Sequence, residues 1–363
     1  MSDKKMFVDV HVIQSVPPSC INRDDTGSPK SAVYGGVRRA RVSSQSWKRA
    51  MRLFFRERFD ESELDVRTTR IIELVAEKIQ EKDKSVSTED AVEMAKKIIE
   101  TAGIKIKESK KKKGEENATP PVSAALFFMS MKQASNLADL ALAGDYSKND
   151  VKEALNKGNG VEIALFGRMV ADDPSLNADA SSQVAHSIST HAVDNEYDYY
   201  TAVDDRSRDD ESGAGMIGTV EFNSSTLYRY ATVAIHDLKK QLSDSEATAK
   251  AMEEFVRAFI LSMPTGKQNT FANRVPPFHV TVCIREDQPV NLVGAFESPV
   301  RTSSTGGYNE NSVKKLLNYE SEVCSDFVKA PSSEYHVGWC PESVDSVSLD
   351  DLIKMIGNAV REL

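Results

Sequence analysis

The 363-residue chain has few of the features that mark secreted, membrane-spanning or metal-dependent proteins. Its four cysteines, Cys20, Cys283, Cys324 and Cys340, are scattered and form no C-x-x-C pair. That spacing argues against a zinc cluster or a disulfide framework, so reduced, partly buried thiols are expected. No apolar run approaches the roughly 18 residues of a membrane span. The first residues are polar and charged and lack the apolar core of a signal peptide, which points to the cytoplasm. A Walker A loop is missing too. The segment 266–270, G-K-Q-N-T, lacks the upstream glycine and the hydroxyl residue directly after the lysine. Lys267 and the neighbouring amides can still meet a phosphate. No repeat of fixed period is visible, and neither a cofactor nor a resident metal is expected.

What is present is charge, in separate blocks. Acidic residues exceed basic ones by 55 to 46, a formal charge of -9, which taken as a sum argues against a nucleic-acid partner. Residues 38–58 nevertheless carry Arg38, Arg39, Arg41, Lys48, Arg49, Arg52, Arg56 and Arg58 against Glu57 alone. Residues 194–211 carry Asp194, Glu196, Asp198, Asp204, Asp205, Asp209, Asp210 and Glu211 against Arg206 and Arg208. Opposite fields on separate segments suit a subunit that holds a polyanion on one surface. The acidic block can equally meet a basic surface on another copy. The hydrophobic share of 40% is ordinary for a soluble protein, and the length allows one elaborated domain or two.

Periodicity gives an α+β arrangement. Residues 7–13 alternate as a strand with Val8, Val10 and Val12 on one face, and 37–42 look extended. Residues 47–59 have helical spacing, with Trp47, Ala50, Met51, Phe54 and Phe55 as the apolar stripe and the cations mostly opposite. Helices are predicted over 69–82, 88–102 and 122–143, a block that reads as an insertion in a sheet domain. Strands are predicted at 161–165, at 184–190 and, as one or two strands, over 219–235. Residues 194–218 form a polar, hairpin-like excursion. Helices follow at 245–263 and 349–362, with a strand at 279–284. The lysine run at 110–113 is a low-complexity loop.

The strongest local signal is R-R-A-R-V-S-S-Q-S-W-K-R-A-M-R, residues 38–52, a basic strand feeding a helix start. Unpaired amides and the positive end of the helix dipole favour a phosphate there, with Ser43, Gln45, Lys48, Arg49 and Arg52 close by. Serines that merely cap a helix with a solvated basic face explain the same residues. Asp24 and Asp25 in the first loop can hold a divalent ion, although turn chemistry explains Asn22 and both aspartates more simply. His186 and His191 are spaced to fall on opposite strand faces, which is poor for a shared ribonuclease site. Met169, after Gly167 and Arg168, reads either as core or as a wedge against an unstacked base.

Several segments, in order, resemble one family. They are V-H-V-I, P-S-C-I-N-R-D-D and G-G-V-R-R-A-R-V-S-S-Q-S-W-K-R-A-M-R near the N-terminus, then I-A-L-F-G-R-M at 163–169 and A-H-S-I-S-T-H at 185–191. T-A-V-D-D at 201–205, G-T-V-E-F at 218–222, L-Y-R-Y-A at 227–231 and P-T-G-K-Q-N-T at 264–270 complete the set. Together they resemble the CasC-type backbone subunit, of the seventh Cas family, in Cascade, the type I-E CRISPR surveillance complex. The resemblance covers the first fifth of the chain and most of 161–296.

It implies an RRM-like (ferredoxin-like) palm over 1–66, 159–192 and 224–363, a helical fingers insertion over 67–158 and a β-hairpin thumb over 193–223. It implies an RNA-binding set of Arg23, Ser43, Gln45, Lys48, Arg49, Arg52, Arg168, Met169, Ile217 and Lys267, with Met169 and Ile217 as apolar wedges beside a kinked base. The implied partners are the guide RNA (crRNA), target DNA by way of the guide, and further copies of the chain in a helical filament. The large subunit, the small subunit, the 5′-end-cap subunit and the guide-processing endoribonuclease complete the list, with no membrane. The type I-E subunit is not a nuclease. Related subunits of other complexes cut RNA with a loop aspartate, which keeps Asp24 and Asp25 open as an enzymatic alternative. Arg56 and Arg58 read as surface.

Overall fold

The computed structural model describes residues 5–107, 120–202, 216–302 and 306–363. The chain divides into two compact units. A sheet unit comprises Met1–Phe54, Val184–Val233 and Met252–Leu363, and a helical unit comprises Phe55–Gln183 and Ala234–Ala251. The lysine run at 110–113 and the acidic residues 204–211 lie outside the described residues.

The sheet unit is built on β1 (Phe7–Ser19), β2 (Ser31–Tyr34), β3 (Val37–Val42), β4 (Ser187–Ser189), β5 (Glu196–Ala202), β6 (Met216–Ala234), β7 (His279–Arg285) and β8 (Ser333–Gly338). Its main path runs β8-β7-β1-β6-β4-β3-β2. β1 and β7 pair antiparallel from Phe7↔Arg285 to Ile13↔His279, and β7 and β8 from Ile284↔Ser333 to His279↔Gly338. Gly35 and Gly36, both at positive φ, make the two-residue turn from β2 to β3. Any side chain on Gly35 would collide with the Glu297 carbonyl, so glycine is required there twice over.

β1 departs from the simple alternation read in the sequence. Val8, Val10 and Val12 are buried, but so are Asp9 and His11 on the other face. That second face is covered by the helix Asn309–Asp326 and an apolar cluster containing Ile13, Tyr228, Phe296, Val313 and Leu316. Asp9 accepts from Tyr230 and from the Val290 amide, and His11 Nδ1 lies 2.9 Å from the Tyr228 hydroxyl. β5 and the outer half of β6 form a hairpin with register Glu196↔Phe222 to Ala202↔Met216.

The helical unit packs helices Ile71–Lys82, Thr88–Thr101, Met131–Ala143 and Lys148–Asn156 around an apolar core that includes Ile72, Val75, Ile99, Leu137 and Leu155. Ser87, Ser130 and Ser147 cap three of these helices, each accepting from the amide three residues on.

Two sequence expectations fail here. Residues 122–143 are not one helix: Val122–Ser123 and Phe127–Ser130 are strands, and the helix starts only at Met131. The Ser130–Gln133 capping box sets that start, while Phe127, Phe128 and Met129 pair with Thr68, Arg67 and Val66. Residues 161–165, expected as a strand, lie in the helix Val161–Phe166. All of them are buried, so alternation held no information about a face. The Asp65 carboxylate accepts from the Gly160 and Ile163 amides at 3.1 and 2.8 Å and satisfies the helix start. No helix among the described residues is long and apolar enough to cross a membrane.

Candidate nucleic-acid interface

The basic segment enters helix α1 (Ser44–Phe55), three residues earlier than periodicity suggested. Trp47, Ala50, Met51 and Phe55 face the interior. Gln45, Lys48, Arg49 and Arg52 stand at i, i+3, i+4 and i+7, which places them on one stripe of the helix. Gln45 and Arg49 are exposed, and Lys48 and Arg52 are half-buried. Burial pulls the Lys48 amine below its ordinary pKa. Ser43 is buried at the helix start. Its amide donates to Asn22 Oδ1 at 2.9 Å, and its carbonyl accepts from Ser46 and Trp47.

Beside α1 lies an open cleft of about 580 Å³, lined by residues 21–27, Ser46, Arg49, Ala50, Leu53 and residues 263–266. Arg23 and Arg49 bring cations to its walls. Gly266 lies against the Ile21 carbonyl so closely that any side chain would clash, which holds the two loops together. Lys267 follows in a left-handed conformation. Arg23 and Lys267 both act electrostatically on the Cys20 thiol, which burial nonetheless pushes up. Arg23, Arg49 and Lys267 thus converge around two loops and one helix, a surface suited to a polyanion backbone.

The aspartates of the first loop differ in role. Asp24 Oδ1 accepts from the Thr26 amide and hydroxyl and from the Ser28 amide, and these bonds hold its pKa below the usual range. Asp25 is exposed. Among the described residues no group of three or more His, Cys, Asp and Glu could hold a metal ion. His186 lies 3.2 Å from the Arg41 guanidinium, whereas His191 stacks on Tyr308 at 3.6 Å and accepts from the Thr226 amide. The two histidines have no common partner.

Ile217 stands on the β5–β6 hairpin opposite Thr201, 61% exposed. Tyr197 and Tyr199 occupy the same face of that hairpin. In the helical unit Met169 is 84% exposed, so the core reading of it fails. Arg168, expected among the RNA contacts, is turned inward and only 4% exposed. Its guanidinium donates to the Leu176, Phe128 and Leu155 carbonyls and to Gln133 Oε1. Backbone carbonyls that need a donor hold it where a phosphate cannot reach. Paired backbone bonds between Arg168 and Ala178 fix the loop that presents Met169.

A family model described as CT1975-like protein matches residues 8–355. The chain belongs to the CT1975-like protein family. Its fold is similar to that of a solved chain from a "CRISPR RNA-guided surveillance complex, pre-nicking", with TM-score 0.81 and 33% identity over 98% of this chain and 100% of that one. A second, from a "CRISPR RNA-guided surveillance complex", gives TM-score 0.70 and 28% identity over 96% and 99% of the two chains. No curated protein matches.

For this family member the sequence reading missed Asn22 and Thr265 as parts of the surface, and it missed the burial of Arg39. Asn22 ties the first loop to the helix start, and its position in a turn-rich segment was the only signal. Thr265 and Gly266 line the cleft but carry no charge to draw attention. Arg39, counted among the basic residues, is fully buried and donates to the Tyr34, Ser189, Phe296 and Glu297 carbonyls.

Proposed function

We propose that this chain is a non-catalytic backbone subunit of an RNA-guided CRISPR surveillance complex of type I-E. Several copies bind the spacer of the guide RNA through its sugar-phosphate backbone and present it for pairing with target DNA in antiviral defence. The observation that carries this reading is the α1 stripe of Gln45, Lys48, Arg49 and Arg52 beside a cleft to which Arg23 and Arg49 bring cations, next to Asp24 and Asp25 of the first loop. Ser43, Gln45, Lys48, Arg49, Arg52, Arg23 and Lys267 hold the phosphates and riboses. The sheet unit holds most of the RRM-like palm, the helical unit contains the fingers of residues 67–158, and the β5–β6 hairpin belongs to the thumb of residues 193–223. Ile217 and Met169 each serve as an apolar wedge beside a kinked base, and Arg168 acts by fixing the Met169 loop rather than by touching RNA. Neighbouring copies and the other Cascade subunits are its protein partners.

The engagement of Asp24 with its own loop supports the non-catalytic reading over a metal-dependent ribonuclease at Asp24 or Asp25. Chain expressed with a CRISPR array should copurify with RNA, visible in its ultraviolet absorbance. That RNA should stay intact on incubation with Mg²⁺ as it does with chelator. Protein free of nucleic acid would contradict the scaffold reading, and Mg²⁺-dependent cleavage would favour the enzyme.

A further inference from the structure

Three arginines of the sheet unit are fully buried, and their partners differ. Arg285 meets two carboxylates, with Nε 3.2 Å from Asp9 and Nη2 3.2 Å from Glu320. Arg39 is surrounded by carbonyls and feels the nearby Glu297 charge. Arg229, 1% exposed, has no acidic partner among the described residues. Its Nη1 donates to Gln14 Oε1 at 2.6 Å and its Nη2 to the Phe259 carbonyl, while Nε has none. The guanidinium lies 3.8 Å from the Trp47 ring centroid and 4.7 Å from that of Phe259. Burial pulls its pKa down to about 9, with no neighbouring charge acting on it, so it is still cationic at neutral pH. A buried charge without a counter-charge is costly, and rings and amides offset only part of that cost.

Trp47 belongs to α1, and it separates Arg229 from the stripe of Gln45, Lys48, Arg49 and Arg52. We propose that Arg229 supplies buried positive charge to the phosphate cleft, with the RNA backbone across α1 as its counter-ion. This rests on the RNA-binding reading above. Across roughly one helix diameter and at an effective dielectric near 20, such a charge is worth on the order of tenfold in affinity. Its charge reaches the RNA backbone through the protein interior, so its loss lowers affinity at every salt concentration.

The test titrates labelled RNA into full-length native chain, Arg229→Met, Arg229→Lys and Arg49→Ala, over a salt series and from about pH 6 to 9. Arg229→Met should bind about tenfold more weakly across the salt series, and Arg49→Ala, which removes an exposed cation, should lower the salt slope by about one. A buried lysine titrates in this range, so Arg229→Lys should approach native affinity as the pH falls, while Arg229→Met keeps a constant ratio to native. Native affinity in Arg229→Met would overturn the proposal. So would an Arg229→Lys affinity whose ratio to native does not change with pH, since Arg229 would then serve only to seat Trp47. This second comparison holds even if Arg229→Met fails to fold. A native chain that binds no RNA would instead overturn the reading beneath the proposal.

Discussion

The two units solve the same packing problem with different chemistry. The helical unit closes over aliphatic side chains such as Ile72, Val75, Ile99 and Leu137. The sheet unit buries Asp9, His11, Arg39, Arg229, His279 and Arg285 within its core. An apolar core asks only for volume and shape, so it tolerates exchange of similar residues. A core that holds charges also fixes which strand meets which, because a misplaced partner leaves a buried ion alone. The sheet unit, which carries the candidate cleft, holds more of these directional contacts than the helical unit, whose buried charges among the described residues are Asp65, Glu162 and Arg168.

The largest expected effect breaks the ionic core. Asp9→Ala leaves Arg285 with one of its two carboxylates lost, and by analogy with broken buried pairs it should cost about 3–5 kcal/mol in chemical denaturation. Next is Leu137→Ala in the helical unit, which opens a cavity and should cost about 3 kcal/mol while leaving RNA affinity at the native value. Acidity should then separate the units. Burial pushes the His11 pKa down to about 3 and that of His279 to about 4, from 6.5 when unfolded. Both stay neutral in the fold and bind protons on unfolding, so stability present above pH 6.5 is lost as the pH falls. The loss is about 2 kcal/mol per histidine by about pH 5. In the helical unit burial pushes the Asp65 pKa up to about 7 from 3.8, so the sign reverses. Its contribution is full below pH 3.8 and is lost as the pH rises through 7. Hydrogen exchange resolved by segment should therefore show protection falling in acid around β7, where His279 sits, and rising around the helix Val161–Phe166, whereas on β1 the Asp9 pKa, pushed up to about 6 by burial, opposes His11.

The smallest effect concerns the cleft alone. Arg49→Ala should weaken RNA binding about five- to tenfold at fixed salt and lower the salt slope by about one, with an unchanged melting profile. That residue was legible in the sequence because its stripe has helical spacing and its opposite face is apolar. Arg38 and Arg39 were not separable, since the demand of buried carbonyls for a donor at one strand position leaves no trace in local composition. Arg168 hides for the same reason. Its partners at Phe128, Gln133, Leu155 and Leu176 come from distant segments. The helix Val161–Phe166 escaped because it is buried all round, and the strands before Met131 because a capping box outweighed the helical spacing that followed.

The central claim is that the α1 stripe and its flanking loops hold an RNA backbone without reading its bases. It is tested most directly by titrating assembled protein with two guides of unrelated sequence across one salt series. The account predicts equal affinities and one shared, steep salt slope. Affinities differing by about tenfold or more at equal salt would contradict it, because they would require groups that read bases.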